Sequence, residues 1–171
     1  MEGFLNPEKV LNQLGLEKDM TAADFGSGSG GWVIPLAKIL EEGKVFAIDV
    51  LEEPLSSLQA KMRLEKISNV EIILADVETG VDIFDGTCGL VLMTNLLFQI
   101  EDKKRALEEG KRILKPGGKI LVVDWKKDVS LGPKEGRVQP EEVKEMAKDL
   151  QLKIEKEFEA SPYHWALILV K

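Results

Sequence analysis

The residues best suited to chemistry are a glycine-rich segment near the N-terminus and an acidic residue that follows it. Gly26, Gly28 and Gly31 have the spacing G-x-G-x-x-G and come directly after a short apolar run. Glycines at this spacing let the backbone turn tightly and approach a ligand closely. Asp49 lies 18 residues after Gly31, at the end of the next apolar run, where a carboxylate can accept hydrogen bonds from both ribose hydroxyls. The pattern predicts a site for a nucleoside cofactor, with a structural glycine turn as the alternative.

Two further aspartates narrow the choice of cofactor. Asp24 stands two residues before Gly26, where it would repel a pyrophosphate but would suit a cationic ligand or one that bears an amino acid. Asp76 follows a third apolar run and could accept a hydrogen bond from the exocyclic amine of adenine, with Val77 contributing its backbone. The alternative for both aspartates is structural, since aspartate also caps loops, turns and helices.

The elements that must position these residues alternate between strands and helices. Apolar runs and turn residues predict strands at 21–25, 44–49, 70–74, 90–93, 119–125, 153–160 and 164–170. Capping residues and helical periodicity predict helices at 7–14, 31–42, 53–66, 101–114 and 140–150. Residues 115–118 predict a turn, and the short connection 161–163 predicts an antiparallel final pair. This order predicts an α/β doubly wound sheet, parallel except for the last strand, with the ligand beyond the carboxyl ends of the central strands.

Length, composition and net charge limit the class of protein. A chain of 171 residues predicts one domain, 1–171. Cys88 is the only cysteine and His164 the only histidine, which excludes an internal disulfide and cysteine- or histidine-rich metal sites. No apolar run reaches the roughly 20 residues of a membrane span, and the segment Met1–Phe4 lacks the features of a signal peptide, so we expect a cytoplasmic protein. The net charge of −7 argues against nucleic-acid binding driven by phosphate contacts.

Several of these segments together resemble the class I S-adenosylmethionine (SAM)-dependent methyltransferases. They are Asp24-Phe25-Gly26-Ser27-Gly28-Ser29-Gly30, Asp49, Asp76 and Leu114-Lys115-Pro116-Gly117-Gly118-Lys119. The likeness covers residues 3–171 and implies a seven-stranded Rossmann-like sheet with helices on both faces. The lysine-proline-glycine-glycine turn, Asp124 and the pair Gly132-Pro133 look most similar to the small-molecule branch, which includes the ubiquinone/menaquinone biosynthesis methyltransferases.

The resemblance implies SAM as cofactor, with S-adenosylhomocysteine (SAH) as product, and assigns residues to it. The glycine loop would lie under the methionine moiety, Asp49 would hold the ribose, and Asp76 with Val77 would frame the adenine. Asp24 would interact with the methionine end through water or the loop backbone, and Asn95 would line the pocket at the end of the fourth strand. The implied cofactor-binding residues are Asp24, Gly26, Ser27, Gly28, Gly30, Asp49, Val50, Leu51, Asp76, Val77 and Asn95.

Methyl transfer from a sulfonium is an in-line displacement, so the protein mainly aligns the reactants and excludes water. A base is needed only where the acceptor must lose a proton. The candidates are Asp124, at the end of the fifth strand, and His164, which titrates near neutrality. Arg137 could hold an anionic acceptor, and Phe98 and Trp125 could line an aromatic slot. Each has a structural alternative: a cap for Asp124, packing for His164 and the aromatic residues, and a solvated loop position for Arg137.

The methyl acceptor is the least determined feature. The segment Asn95-Leu96-Leu97-Phe98 lacks the two prolines of enzymes that methylate amino groups of DNA and protein glutamine, so a small-molecule acceptor is favoured over RNA or protein. Only about twenty residues precede the first strand. The site could therefore be closed by the short N-terminal helix within 1–20, from Gly3 to Leu14, by the loop 126–139, or by the second subunit of a homodimer.

Two other functions stay open at this point. A non-catalytic SAM-binding module would keep the same glycine loop and aspartates. An NAD(P)-dependent oxidoreductase fits the glycine spacing, but the chain leaves no room for a second domain, and Tyr163 has Leu167 rather than a lysine four residues on. A P-loop NTPase is excluded because Lys119 is followed by Ile120 and not by serine or threonine.

Overall fold

The computed structural model describes residues 4–171. Met1, Glu2 and Gly3 lie outside the described residues. Two predictions therefore fall partly outside them: that Met1–Phe4 is not part of a signal peptide, and that a covering segment begins at Gly3.

The strands within residues 4–171 form one mixed sheet. They are β1 (Thr21–Phe25), β2 (Lys44–Asp49), β3 (Val70–Leu74), β4 (Cys88–Thr94), β5 (Leu114–Trp125), β6 (Lys153–Ser161) and β7 (His164–Val170). Their order across the seven-stranded sheet is β3-β2-β1-β4-β5-β7-β6. The pairs among β1 to β5 are parallel, and β7 runs antiparallel to both of its neighbours. This confirms the predicted Rossmann-like sheet with an antiparallel last strand.

Short helices connect the strands. In the part of the chain that the structure describes they are α1 (Pro7–Leu11), α2 (Val33–Ile39), α3 (Glu52–Glu65), a 3₁₀ turn (Leu97–Gln99), α4 (Lys103–Ile113) and α5 (Pro140–Asp149). Asn6 caps α1 as predicted, since its side chain accepts a hydrogen bond from the Lys9 N–H at 3.0 Å. At the start of α5, the Glu142 carboxylate accepts from the Gln139 N–H at 2.9 Å. None of these helices is long and apolar enough to cross a membrane.

The helices bury both faces of the sheet, which is why the central strands are almost continuously apolar. On one face, residues such as Met93 and Val122 belong to a buried cluster that includes Leu107 of α4. On the other face, Leu92 and Leu121 belong to a cluster that includes residues of α1, α2 and α3. Because side chains alternate along a strand, Asp24 lies on this second face with its neighbour Ala22.

The structure corrects the boundary predicted at the start of β5. Residues 115–118 were predicted as a turn before a strand that begins at Lys119, but β5 begins at Leu114. Cys88 pairs with Leu114 and Leu90 pairs with Lys119, so two steps on β4 oppose five on β5. The proline and glycines form a bulge inside the strand, with Gly117 at a φ of 76°. The turn residues at 115–118 therefore indicate the irregularity correctly, but β4 and β5 pair on both sides of it.

Candidate functional site

A groove of about 520 Å³ opens at the carboxyl ends of β1, β2 and β3 and beside the segment that follows β4. This is the edge of an open α/β sheet where ligands bind. The lining residues are Gly26, Gly28, Asp49, Val50, Leu51, Pro54, Ala75, Asp76, Val77, Glu78, Leu96, Gln99 and Ile100. Seven of the eleven predicted cofactor residues, Gly26, Gly28, Asp49, Val50, Leu51, Asp76 and Val77, therefore lie in one groove.

The glycine loop requires glycine at some positions and not at others. Gly26 and Gly30 have positive φ angles of 73° and 89°. A Cβ at Gly26 would lie 2.8 Å from Leu96 Cδ1, and one at Gly30 would lie 2.5 Å from Leu58 Cδ1. Gly31 has no positive φ, and a Cβ there would meet nothing within 4 Å. The third position that needs glycine is therefore Gly30, and Gly31 of the G-x-G-x-x-G spacing is structurally replaceable.

Asp49 joins the glycine loop to the end of β2. Its Oδ2 accepts a hydrogen bond from the Gly28 N–H at 2.8 Å, and its Oδ1 accepts from the Leu51 N–H at 3.0 Å. A carboxylate has about four acceptor positions, so each oxygen retains capacity for one more donor. Val50 and Leu51 beside it are 57% and 60% exposed, which gives the groove an apolar rim.

Asp76 and its neighbours line the same groove after the end of β3. The Oδ1 of Asp76 accepts from the Glu78 N–H at 2.8 Å, which closes a turn at the end of β3. Glu78 in turn accepts from the Asp102 N–H at the start of α4, so its side chain ties two loops that border the groove. Glu78, Leu96 and Gln99 also line the groove, although no motif in the sequence indicates them, and the one usable signal is their position shortly after the ends of β3 and β4.

Asp24 is the most deeply buried polar group near the loop. The residue is 1% exposed, and neither carboxylate oxygen has a hydrogen-bond partner among residues 4–171. Burial raises the pKa of Asp24 well above its usual value, and the charge of Asp49 raises it further. The Ser27 hydroxyl and Asn95 Oδ1 are also buried and lack partners in the described chain. Buried polar groups are normally hydrogen-bonded, so a water molecule or a polar ligand is expected to complete these groups.

Asn95 and Asp124 lie where β4 and β5 end. Asn95 has a left-handed φ of 52°, and its N–H donates to the Val123 carbonyl at 2.7 Å. The Asp124 carboxylate accepts from the N–H groups of Trp125 at 2.7 Å and Phe98 at 3.3 Å. Burial raises the pKa of Asp124 to about 6. Asp124 therefore holds the turn after β4 in place, which matches the structural alternative for this residue.

His164 lies inside an aromatic cluster. Its Nδ1 is 2.9 Å from the Ser161 hydroxyl, and its Nε2 is buried without a partner among the described residues. Its ring centroid is 4.2 Å from that of Trp125 and 5.6 Å from that of Phe4. Burial, with a smaller contribution from Lys126, lowers the pKa of His164 to about 4. The imidazole is therefore neutral at physiological pH and is a weak base.

Arg137 organises the loop 126–139. Its guanidinium donates to main-chain carbonyl groups of that loop, those of Lys126, Lys127, Val129, Leu131 and Pro133. Two glycines hold the loop against predicted site residues: a Cβ at Gly132 would lie 2.4 Å from the Trp125 ring, and one at Gly136 would lie 2.6 Å from the Phe98 carbonyl oxygen. Arg137 thus has a structural task inside its own loop, and it does not line the groove beside Asp49.

Most of the predicted residues fall into two groups. The cofactor residues gather at the ends of β1, β2 and β3, whereas Phe98, Asp124, Trp125 and His164 gather beyond β4, at the end of β5 and at the start of β7. Asn95 lies between the groups, at the end of β4. Within residues 4–171 no cluster of histidine, cysteine, aspartate or glutamate could hold a metal ion.

Comparison with known proteins decides the family. The family described as a methyltransferase domain matches residues 22–118, which is more than half of the chain. A crystal structure of a SAM-dependent methyltransferase from Aquifex aeolicus is 31% identical, with a TM-score of 0.90, and the similarity covers 97% of this chain and 89% of that one.

The chain belongs to the class I SAM-dependent methyltransferases.

Two other proteins are similar to this chain. The ubiquinone/menaquinone biosynthesis C-methyltransferase UbiE of Escherichia coli is 31% identical over 117 residues, which are 67% of this chain and 46% of that enzyme. The chain thus spans about half the length of this curated relative. The cyclase SpnF is 16% identical with a TM-score of 0.86, covering 96% of this chain and 80% of that one, and it shares the fold alone.

The groove of this methyltransferase fits SAM. Asp49 offers acceptors at the groove, the glycine loop presents open backbone at Gly28, and the unpartnered carboxylate of Asp24 lies just before the loop. When bound, SAM supplies a methyl group on a positively charged sulfur. Acidic side chains and close backbone are suited to such a cationic, amino-acid-bearing ligand, whereas a pyrophosphate would meet carboxylates.

Proposed function

We propose that this chain transfers a methyl group from SAM to a small-molecule acceptor. The observation that carries the proposal is the groove that Asp76 and Val77 line together with Asp49, which holds the glycine loop through Gly28. The small-molecule part rests on the net charge of −7, on the similarity to the C-methyltransferase UbiE, and on the aromatic cluster at the end of β5 and the start of β7.

The proposed division of labour follows the two groups of residues. Asp49 holds the ribose, Asp76 and Val77 frame the adenine, and Val50 and Leu51 lie against its apolar faces. The loop from Gly26 to Gly30, with Ser27, lies under the methionine end, together with Asp24 and Asn95. These contacts fix the cofactor so that the acceptor approaches in line, and alignment of this kind is worth roughly 7–11 kcal/mol.

Proton transfer is assigned to Asp124 or His164 only for acceptors that must lose a proton. With a pKa of about 6, the Asp124 carboxyl is mostly ionised at neutral pH, although its oxygens already accept two N–H groups. His164, with a pKa of about 4, is a weaker base. The site therefore suits acceptors that are already nucleophilic or readily ionised.

The acceptor is proposed to bind at the aromatic cluster under a cover formed by the chain itself. Phe4 is 49% exposed and contacts Trp125, Tyr163 and His164. The loop 126–139 packs on Trp125 and Phe98, which are the proposed slot residues. In this proposal residues 1–171 act as one cytoplasmic methyltransferase domain, with a homodimer as a further way to close the site.

Label transfer tests this function. The protein is incubated with SAM carrying a labelled methyl group and with separate small-molecule, RNA and protein fractions of a cell extract. We expect the label in the small-molecule fraction, lost in Asp49→Ala and retained in Asp19→Ala, an exposed aspartate before β1. Label only in RNA or protein would overturn the small-molecule proposal, and SAH binding without any transfer would favour a non-catalytic module.

A further inference from the structure

The connection between β3 and β4, residues 75–87, forms part of the groove although it contains no helix or strand. In the described chain its backbone bonds to the backbone of other segments only near its two ends. At one end the Ala75 N–H donates to the Asp49 carbonyl at 3.0 Å. At the other end the Gly86 N–H donates to the Arg112 carbonyl at 3.1 Å. The middle of the connection must therefore be held by side chains, because buried backbone groups need partners.

Glu109 and Arg112 of α4 bond to the middle of this connection. Glu109 Oε1 accepts a hydrogen bond from the Val81 N–H at 2.8 Å. Arg112 Nη2 donates to the Val81 carbonyl at 3.0 Å, and its Nη1 donates to the Ile83 carbonyl at 2.8 Å. The carboxylate and the guanidinium group thus give Val81 the acceptor and the donor that a neighbouring strand would provide.

The two side chains also hold each other. The Arg112 guanidinium donates to both carboxylate oxygens of Glu109, from Nε at 2.9 Å and from Nη2 at 2.7 Å. The Glu109 side chain is 2% exposed, so its charge depends on this paired arrangement. Arg105 and Glu108 form an ion pair with the same spacing on α4, but their side chains are 42% and 54% exposed. The buried pair therefore links the helix to the connection, whereas the exposed pair stays on the helix surface.

The position of Val81 is transmitted to the groove through a short turn. The N–H groups of Thr79 and Gly80 both donate to the Asp76 carbonyl at 3.1 Å, and Gly80 directly precedes Val81. Val77 and Val81 also belong to one buried apolar cluster. A displacement of Val81 therefore shifts the turn that begins at Asp76.

We propose that Glu109 and Arg112 are positioning residues that set the selectivity of the groove for adenine. Neither side chain lines the groove, so both act through the connection. The inference rests on the proposed function, in which Asp76 and Val77 frame the base. Hydrogen bonds are directional, so a wall that is fixed before the ligand arrives favours a base with an amine at that place over one with an oxygen.

Titration calorimetry of the full chain with two ligands tests this selectivity. The ligands are SAH and S-inosylhomocysteine, in which an oxygen replaces the exocyclic amine of adenine. The variants are Glu109→Gln, which removes the charge that Arg112 requires, and Arg112→Lys, which keeps the charge without the planar fork of donors. Glu108→Gln, in the exposed pair of the same helix, is the matched control. Circular dichroism first establishes that each variant is folded.

We expect wild type and Glu108→Gln to prefer SAH by at least roughly tenfold, because an oxygen in place of the amine leaves the acceptor of the wall without a donor. Glu109→Gln and Arg112→Lys should lose about tenfold in affinity for SAH and less for S-inosylhomocysteine, so the preference for adenine falls. A role confined to stability would weaken both ligands equally and leave the preference unchanged.

Equal losses for both ligands, or an undiminished preference in the folded variants, would overturn the inference while the proposed function stands. Equal binding of both ligands to wild type would overturn it as well, together with the role proposed for Asp76. If neither ligand bound the wild-type protein, the proposed cofactor site itself would be wrong, and the inference with it.

Hydrogen exchange of the ligand-free wild-type protein gives a readout that requires no variant. We expect the Val81 amide to exchange slowly, at a rate similar to amides in the middle of α4, because Glu109 accepts its hydrogen bond before any ligand binds. The exposed residues 134–136 provide the fast reference within the same protein. Exchange of the Val81 amide at that fast rate would show that the link to α4 is not formed in solution and would overturn the inference.

Discussion

Three aspartates of this methyltransferase illustrate how environment decides what a carboxyl group does. Asp49 accepts two backbone N–H groups at the edge of the groove, and Asp124 accepts two at the end of β5. Asp24 accepts none within the described chain. The same residue type thus provides a tether for the glycine loop, a clamp on the turn after β4, and a buried carboxyl group without a partner among the described residues.

His164 should make the protein sensitive to acid. Because its folded pKa of about 4 lies below the unfolded value of 6.5, its stabilising contribution is present above pH 6.5 and is lost as pH falls toward 4. We expect the unfolding temperature to fall more over this range in wild type than in His164→Gln. Scanning calorimetry of both proteins isolates the contribution of the histidine, because Asp24 and Asp124, the carboxyl groups whose pKa is raised, are present in both proteins. Parallel curves would show that the buried imidazole does not titrate in this range.

At the scale of elements, the glycine loop owes its shape to two contacts with neighbouring segments. Gly26 packs against Leu96, which follows β4, and Gly30 packs against Leu58 of α3. Asp49 and Lys61 hold the loop from either side through Gly28 and Ser29. The loop is therefore fixed before a ligand arrives, which lowers the cost of binding.

The two adjacent glycines at the end of this loop provide a matched pair of variants. Gly30→Ala should destabilise the protein by about 1 to 3 kcal/mol, because the new methyl group meets Leu58 at a left-handed backbone position. Gly31→Ala should change the free energy of unfolding by at most about 0.5 kcal/mol. Urea unfolding of both variants measures the difference. Equal losses would mean that the loop is not packed as described.

Arg137 offers a second prediction at this scale. Arg137→Met removes the hydrogen bonds to the loop carbonyl groups, so amides of 126–139 should exchange hydrogen faster and the loop should be cut sooner by protease. Arg137→Lys should not rescue the loop, because an ammonium group cannot replace the planar fork of guanidinium donors. Lys134→Met, at an exposed position of the same loop, is the control. Unchanged exchange in Arg137→Met would remove the loop-ordering role.

Sequence reasoning succeeded where a local pattern determines the structure. The strands β1, β2, β3 and β7 match their predicted bounds, because turn residues flank short apolar runs. It failed at the start of β5, where the pairing of Leu114 with Cys88 on β4 is not visible in a local pattern and the strand continues through the bulge at 115–118. Helix α1 ends at Leu11, three residues before its predicted end. The hydrogen-bonding task of Arg137 was not visible either, since its partners are main-chain carbonyl groups that every residue carries.

At the scale of the whole molecule, the sheet topology brings the site together. β1 lies between β2 and β4, so the chain reverses its direction of progress across the sheet beside the glycine loop. Crossover helices on opposite faces leave a crevice at such a position. The groove follows from this arrangement, and the residues at the strand ends give it an acidic character suited to a cationic cofactor.

The most direct test of the account is a calorimetric titration of the wild-type protein and Asp49→Ala with SAM, SAH and NADH. We expect micromolar binding of both adenosyl compounds, on the order of −8 kcal/mol, and none of NADH. Asp49→Ala should lose this binding, because the variant removes both the proposed ribose acceptor and the tether of Gly28, whereas Asp19→Ala should keep it. Binding of NADH alone, or SAH binding unchanged in Asp49→Ala, would contradict the proposed cofactor site.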